Sequence, residues 1–125
     1  MFKKSRITAR GTEIIIEKLR LKRGVLISLV TANQRNGYIT KSDYPKKYND
    51  GAIYVVNKRF NTRLLDIGYV LVSEDFKAWR IERLTPDTIP KWAISPKKFA
   101  NGPEGRRVRV NEVRIKAGLK PYAIR

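Results

Sequence analysis

Neither cysteine nor histidine occurs in this chain. Their absence removes disulfides, thiolate metal sites, the thiol nucleophile and the side chain most often used as a general base. Acidic residues are scarce as well, with 11 Asp and Glu against 28 Lys and Arg. A two-metal nuclease needs several converging carboxylates, whereas Asp43, Asp50, Asp66, Asp75, Glu82 and Asp87 are scattered without paired spacing. No metal, cofactor or catalytic centre is expected, and the chain reads as a non-enzyme. Long hydrophobic runs are also missing: no stretch of about 18 apolar residues is present to span a bilayer, and no basic helix with a clean apolar face lies at either end. The basic opening residues are not followed by the apolar core of a secretory signal. These absences set a membrane aside and point to the cytoplasm. No heptad seam argues for a coiled-coil dimer, so the oligomeric state stays open.

What the chain has in excess is positive charge, formally +17 over 125 residues. That length suits one domain with appendages, and such an excess selects polyanions as partners. The ends carry most of it. Residues 1–24 hold eight basic and two acidic side chains, residues 25–84 ten and six, and residues 85–125 ten and three. The chain divides accordingly into a basic N-terminal arm (1–11) with Lys3, Lys4 and Arg6, a folded α+β domain (12–84), and a basic C-terminal extension (85–125) that Pro86, Pro90 and Pro96 keep irregular.

Within the middle segment, residues 12–22 fit a helix or a strand, because Ile14, Ile15 and Ile16 suit both and Leu19 and Leu21 alternate. Val25, Leu26, Leu29 and Val30 recur at helical spacing, and the polar run from Asn33 to Gly37 stops the pattern. Thr40 precedes Asp43 by three positions, the arrangement of a capping box with Asp in place of Glu, which predicts a short helix over residues 41–48. Pro45 keeps it brief, and Asn49-Asp50-Gly51 marks a sharp turn. Ile53, Val56, Phe60, Leu64 and Ile67 then fall at offsets of 3, 4, 4 and 3, one narrow face of a helix over residues 52–67 that Gly68 ends. The runs 69–72 and 76–84, about the polar Ser73-Glu74-Asp75, read as a β-hairpin. In the extension, Trp92 and Phe99 are large enough to anchor on the domain, Asn101-Gly102-Pro103 makes a turn, and a last short helix is expected from Asn111, as its cap, to Ala117, with Gly118 as its stop.

Gly37-Tyr38-Ile39-Thr40-Lys41-Ser42-Asp43, opening the second helix, and Leu64-Leu65-Asp66-Ile67-Gly68-Tyr69, closing the third before a hairpin, resemble the winged helix-turn-helix superfamily in its small phage and bacterial DNA-binding form. The resemblance covers about half the chain. It implies three helices and a β-hairpin wing, with helix 52–67 in a DNA major groove and the hairpin on an adjacent backbone. The implied function is a nucleoid-associated transcriptional regulator or accessory factor. The groove-facing candidates are Tyr54, Asn57, Lys58, Arg59, Asn61, Thr62 and Arg63, with Asn61 suited to an adenine edge and Lys58 or Arg59 to guanine or phosphate. Lys77 on the hairpin, Lys3, Lys4 and Arg6 in the arm, and Arg106, Arg107 and Arg109 in the extension are candidates for phosphate contact. DNA is favoured over RNA as partner. The other reading is an adaptor or RNA-binding protein that docks on a nucleoprotein machine such as a polymerase or ribosome.

Overall fold

The computed structural model describes residues 3–75, 77–93 and 104–122, with side chains in the last stretch from Arg109 onward. The chain is α+β and forms two compact units, Met1–Glu82 and Arg83–Arg125. Among the described residues are four α-helices, α1 (Ala9–Lys18), α2 (Val25–Asn36), α3 (Asp50–Asp66) and α4 (Glu104–Lys116). Three strands, β1 (Ile39–Thr40), β2 (Tyr69–Glu74) and β3 (Ala78–Arg83), make an antiparallel sheet in the order β1-β3-β2, with Ile39 opposite Trp79 and Thr40 opposite Ala78.

Residues 12–22 resolve as helix for most of their length. Thr8 caps α1 by accepting from the Gly11 N–H at 3.0 Å, and Ile15 and Leu19, one helical turn apart, are both buried. Arg20 ends the helix in the left-handed region (φ 54°), and the Leu21 N–H closes on the Ile16 carbonyl at 2.9 Å. The second helix runs past Asn33 to Asn36, because Asn33 is buried rather than a surface stop. Gly37 caps it at φ 85°, and a side chain there would also strike Lys4, whose Cβ lies 2.9 Å from where a Gly37 Cβ would sit.

The helix expected over residues 41–48 is not formed. Asp43 does bond back to the Thr40 N–H at 2.8 Å, but the chain makes only a single 3-10 turn there, Lys41–Asp43. Pro45 forces the residue before it out of the helical region, and Tyr44 is extended at φ −91°, ψ 158°. Nor is Asn49-Asp50-Gly51 a free turn. Asn49 is the N-cap of α3, accepting from the Ala52 N–H at 2.8 Å, and Asp50 and Gly51 form the helix's first turn. The apolar face of α3 lies as its spacing predicts: Ile53, Phe60 and Leu64 are buried, and Val56 and Ile67 pack against them. With Leu29, Val30, Ile39 and Ile81 these residues form the core of the first unit.

The N-terminal segment is a strap rather than a solvated arm. The Ser5 N–H donates to the Gly37 carbonyl at 2.6 Å, the Ser5 hydroxyl to the Ile81 carbonyl, and the Arg6 N–H to Glu82 Oε1 at 2.8 Å. Asn33 completes the seam by accepting from the Ile81 N–H at 3.0 Å. The edge of β3 beyond β1 is thus covered, its polar groups taken up by side chains.

The second unit is more regular than the prolines suggest. α4 begins at Glu104, so Asn111 is a mid-helix residue and not a cap. Its side chain is buried and exchanges two hydrogen bonds with the Tyr122 backbone, at 2.9 and 2.8 Å. Arg114 reaches the carbonyls of Ala93 and Lys120, and its guanidinium stacks 3.9 Å over the Tyr122 ring. Val110, Val113 and Ala117 are buried, and Gly118 stops the helix at φ 87°. Trp92 lies half-buried in a 3-10 turn, Lys91–Ala93. Phe76, Pro96, Phe99 and the Asn101-Gly102-Pro103 turn lie outside the described residues.

Candidate nucleic-acid interface

The outer side of α3 exposes Tyr54, Val55, Lys58, Arg59, Thr62 and Arg63, a face opposite the buried stripe. Tyr54 is 67% exposed, high for a large aromatic. Asn57 and Asn61 sit at the flank toward the hairpin, and both are committed within the fold. Asn61 Oδ1 accepts from the Leu71 N–H at 2.9 Å, tying α3 to β2. Asn57 Oδ1 accepts from the Tyr44 hydroxyl. Burial pushes the Tyr44 phenol well above its ordinary value, against the opposing effect of the Asn57 hydrogen bond, so the phenol stays neutral and keeps its proton to donate. Asn61 is therefore not the unattached reading group that its place on the helix suggested. Asn61→Ala is expected to orphan the half-buried Leu71 N–H and cost about 1–3 kcal/mol of stability, a loss that thermal unfolding would register and that an unchanged melting temperature would refute.

On the other flank, Arg63 Nη2 donates to the Leu19 carbonyl at 2.7 Å, which satisfies a free acceptor at the C-terminal end of α1. Arg63 and Arg59 there meet three cations from the link between α1 and α2: Arg20, Lys22 and Arg23. The five surround a cleft of about 390 Å³ floored by Leu19, Leu21, Val25, Leu26 and Val56. Among the described residues no acidic side chain lines it. Arg20, Lys22, Arg23 and Arg59 make no ion pair within 4.0 Å among the described residues. Like charges gathered over an apolar floor raise the local positive potential, although all five side chains are exposed and solvent screens them. Arg20 is held there in a left-handed conformation that costs a non-glycine residue about 1 kcal/mol. Arg20, Lys22 and Arg23 were not among the candidates read from the sequence, which came from the arm (1–11), helix 52–67, the hairpin and the extension. The run Arg20-Leu21-Lys22-Arg23 ahead of Gly24 was the available signal.

The remaining candidates are dispersed. Lys77 is exposed in the hairpin turn. Lys3, Lys4 and Arg6 project from the strap, where the Lys3 N–H donates to Glu74 Oε2 and Arg6 pairs with Glu82 at 3.3 Å. Arg109, in the second unit, pairs with Glu112 at 3.4 Å. Arg106 and Arg107 belong to α4, but their side chains lie outside the described residues.

A second cleft of about 430 Å³ lies between α3 and the hairpin. Ile53, Leu71 and Trp79 line its apolar part, with Trp79 held edge-to-face by Tyr44 at 5.7 Å. Its polar lining is Tyr54, Asn57, Lys58, Asn61, Ser73 and the Lys41–Asp50 ion pair at 2.9 Å. Among the described residues no group of three acidic side chains is placed to hold a metal ion, and no helix is long and apolar enough to cross a membrane. Comparison with family models, curated proteins and solved structures returns no match for this chain.

Proposed function

We propose that this chain binds nucleic acid without catalysis, with double-stranded DNA as the favoured partner and α3 as the element presented to it. The observation that carries this reading is the acid-free cleft, in which Arg20, Lys22, Arg23, Arg59 and Arg63 converge from two parts of the chain. Phosphates spaced along a backbone fit such a cluster, since each neutralised phosphate also releases condensed counterions. The strand order β1-β3-β2, with α3 running into the β2–β3 hairpin, supports a variant winged helix-turn-helix in which α2, α3 and the hairpin are the first helix, the reading helix and the wing. In this variant a 3-10 turn and extended Tyr44 stand where the middle helix would be. On that fold analogy alone the role is a DNA-binding transcriptional regulator or accessory factor.

The test is binding of the full chain to a labelled generic duplex and to RNA of equal length across about 50–200 mM salt, the range over which several phosphate contacts lose orders of magnitude in affinity. With four or five phosphates engaged, the log–log slope on the duplex is expected near −4. The triple variant Arg20→Ala, Lys22→Ala, Arg23→Ala should make it shallower by about 2–3 and weaken all sequences alike. An affinity indifferent to salt, or a triple variant that binds as tightly as the parent, would overturn the reading. Preference for RNA would move the partner to RNA, and binding of neither would favour the adaptor reading.

A further inference from the structure

The clefts on the two flanks of α3 differ in chemistry. In the one toward the hairpin, the Asn61 amide of α3 has its oxygen turned inward. A backbone N–H can only donate, so the 2.9 Å bond from Leu71 fixes which end of the Asn61 amide faces the strand. The Tyr44 hydroxyl donates to the Asn57 oxygen. Neither amide nitrogen has a hydrogen-bond partner among the described residues, and Lys58, one turn before Asn61, has neither an ion pair nor an acceptor of its own. Lys58 and the Asn61 amide nitrogen are therefore free donors of α3 along this cleft, beside the Tyr54 hydroxyl, which can donate or accept, and the Asp50 carboxylate, which Lys41 engages at 2.9 Å. An asparagine that bridges adenine must turn its oxygen and its nitrogen to the same base edge, accepting from N6 while donating to N7. The Asn61 oxygen is turned to β2 by the Leu71 N–H, away from the edge that its nitrogen would face, which disfavours that bidentate arrangement.

We infer that this cleft selects guanine, whose exposed edge presents two acceptors, O6 and N7, and no donor. Lys58 and the Asn61 amide nitrogen supply the matching donors, and the apolar part of the cleft beside them limits competition from water. Adenine and cytosine each bring an amino donor against these donors. Thymine offers one acceptor beside a methyl group. The guanine is presented either from the major groove of a duplex or as an unpaired base, and the chemistry is the same. This inference rests on the nucleic-acid reading above and specifies which base its site takes.

The experiment is selection by the full chain from a random duplex pool and, in parallel, a random single-stranded pool. The guanines of the enriched sequence are then replaced by 7-deazaguanine, which lacks the N7 acceptor. A fixed guanine should emerge, in the duplex pool if the edge is read in the groove and in the other if the base is unpaired. 7-Deazaguanine at that position should lower affinity about tenfold. Asn61→Asp keeps an acceptor for the Leu71 N–H and loses the donor, so it should fold normally, lose the response to 7-deazaguanine, and shift preference toward cytosine. Lys58→Met, at an exposed position, gives the same readout if Asn61→Asp is unstable. Salt-dependent binding with no base preference, a fixed adenine, or a 7-deazaguanine effect that persists in both variants would overturn the inference and leave nucleic-acid binding standing. Binding to neither pool would remove both.

Discussion

Phe60→Ala is expected to remove a large part of the first unit's stability margin. Phe60 is fully buried on the inner face of α3, in one cluster with Leu29, Ile39, Leu64 and Ile81, so truncation loses the transfer free energy of the ring and leaves a cavity that helix and sheet can only partly close. Such changes cost about 3–5 kcal/mol, against a typical total of about 5–15 kcal/mol for a domain. For a unit of this size that lowers the melting temperature by roughly 12 °C or more. Val55→Ala on the same helix is the control. Val55 is 46% exposed, and its removal should stay within about 0.5 kcal/mol. Calorimetry of both variants decides the matter: a Phe60→Ala protein that melts with the parent would mean that α3 does not pack on this face.

Glu82→Ala should be comparably damaging for a different reason. Glu82 is 2% exposed, yet carries a charge that the strap and the sheet satisfy together. It accepts from the Arg6 N–H at 2.8 Å and from Arg6 Nε at 3.3 Å, and lies 3.7 Å from Arg80 Nε. The Arg6 side chain is 73% exposed, so its ion pair contributes little by itself. Arg80 is the larger concern. Its side chain is 11% exposed and its Nε has no hydrogen-bond partner among the described residues, so without Glu82 the guanidinium keeps, among them, only Glu74, at 3.1 Å, to balance it. Removing one member of a buried pair costs about 3–5 kcal/mol because the other charge stays buried. The strap should loosen at the same time. Urea unfolding should report the loss, and hydrogen exchange at the Arg6 amide should rise. Glu82→Gln, which keeps an acceptor for that amide, should be milder. A loss under about 1 kcal/mol for Glu82→Ala would show that the strap and Arg80 do not depend on this carboxylate.

Much of the first unit was legible in short-range pattern. The offsets of 3, 4, 4 and 3 from Ile53 to Ile67 located α3 to within about two residues, because a 3.6-residue period needs no knowledge of the partner that buries it. Gly68 and Gly118 are left-handed stops, as their positions suggested, since a missing Cβ is a local property. Pro45 carried the information that broke the expected second helix. Its steric effect on Tyr44 outweighs the capping arrangement of Thr40 and Asp43, which survives on a single turn.

Sequence alone determined that this protein is a strongly basic α+β chain with an amphipathic third helix, a hairpin behind it, and neither thiol nor imidazole. Tertiary structure alone decided which polar groups remain available. Sequence separations of 44 positions for Arg63 and Leu19, 48 for Asn33 and Ile81, and 76 for Ser5 and Ile81 place these bonds beyond any periodicity. They make a seam of the expected arm and a cap of Arg63. At shorter range, the Leu71 N–H turns the oxygen of Asn61 inward and the Tyr44 hydroxyl engages Asn57. The same packing brings Arg20, Lys22 and Arg23 beside Arg59. Spacing along a chain records which face of an element a residue occupies, but a side chain's hydrogen-bonding capacity is spent on whatever the fold sets opposite it, and that is known only when distant segments meet.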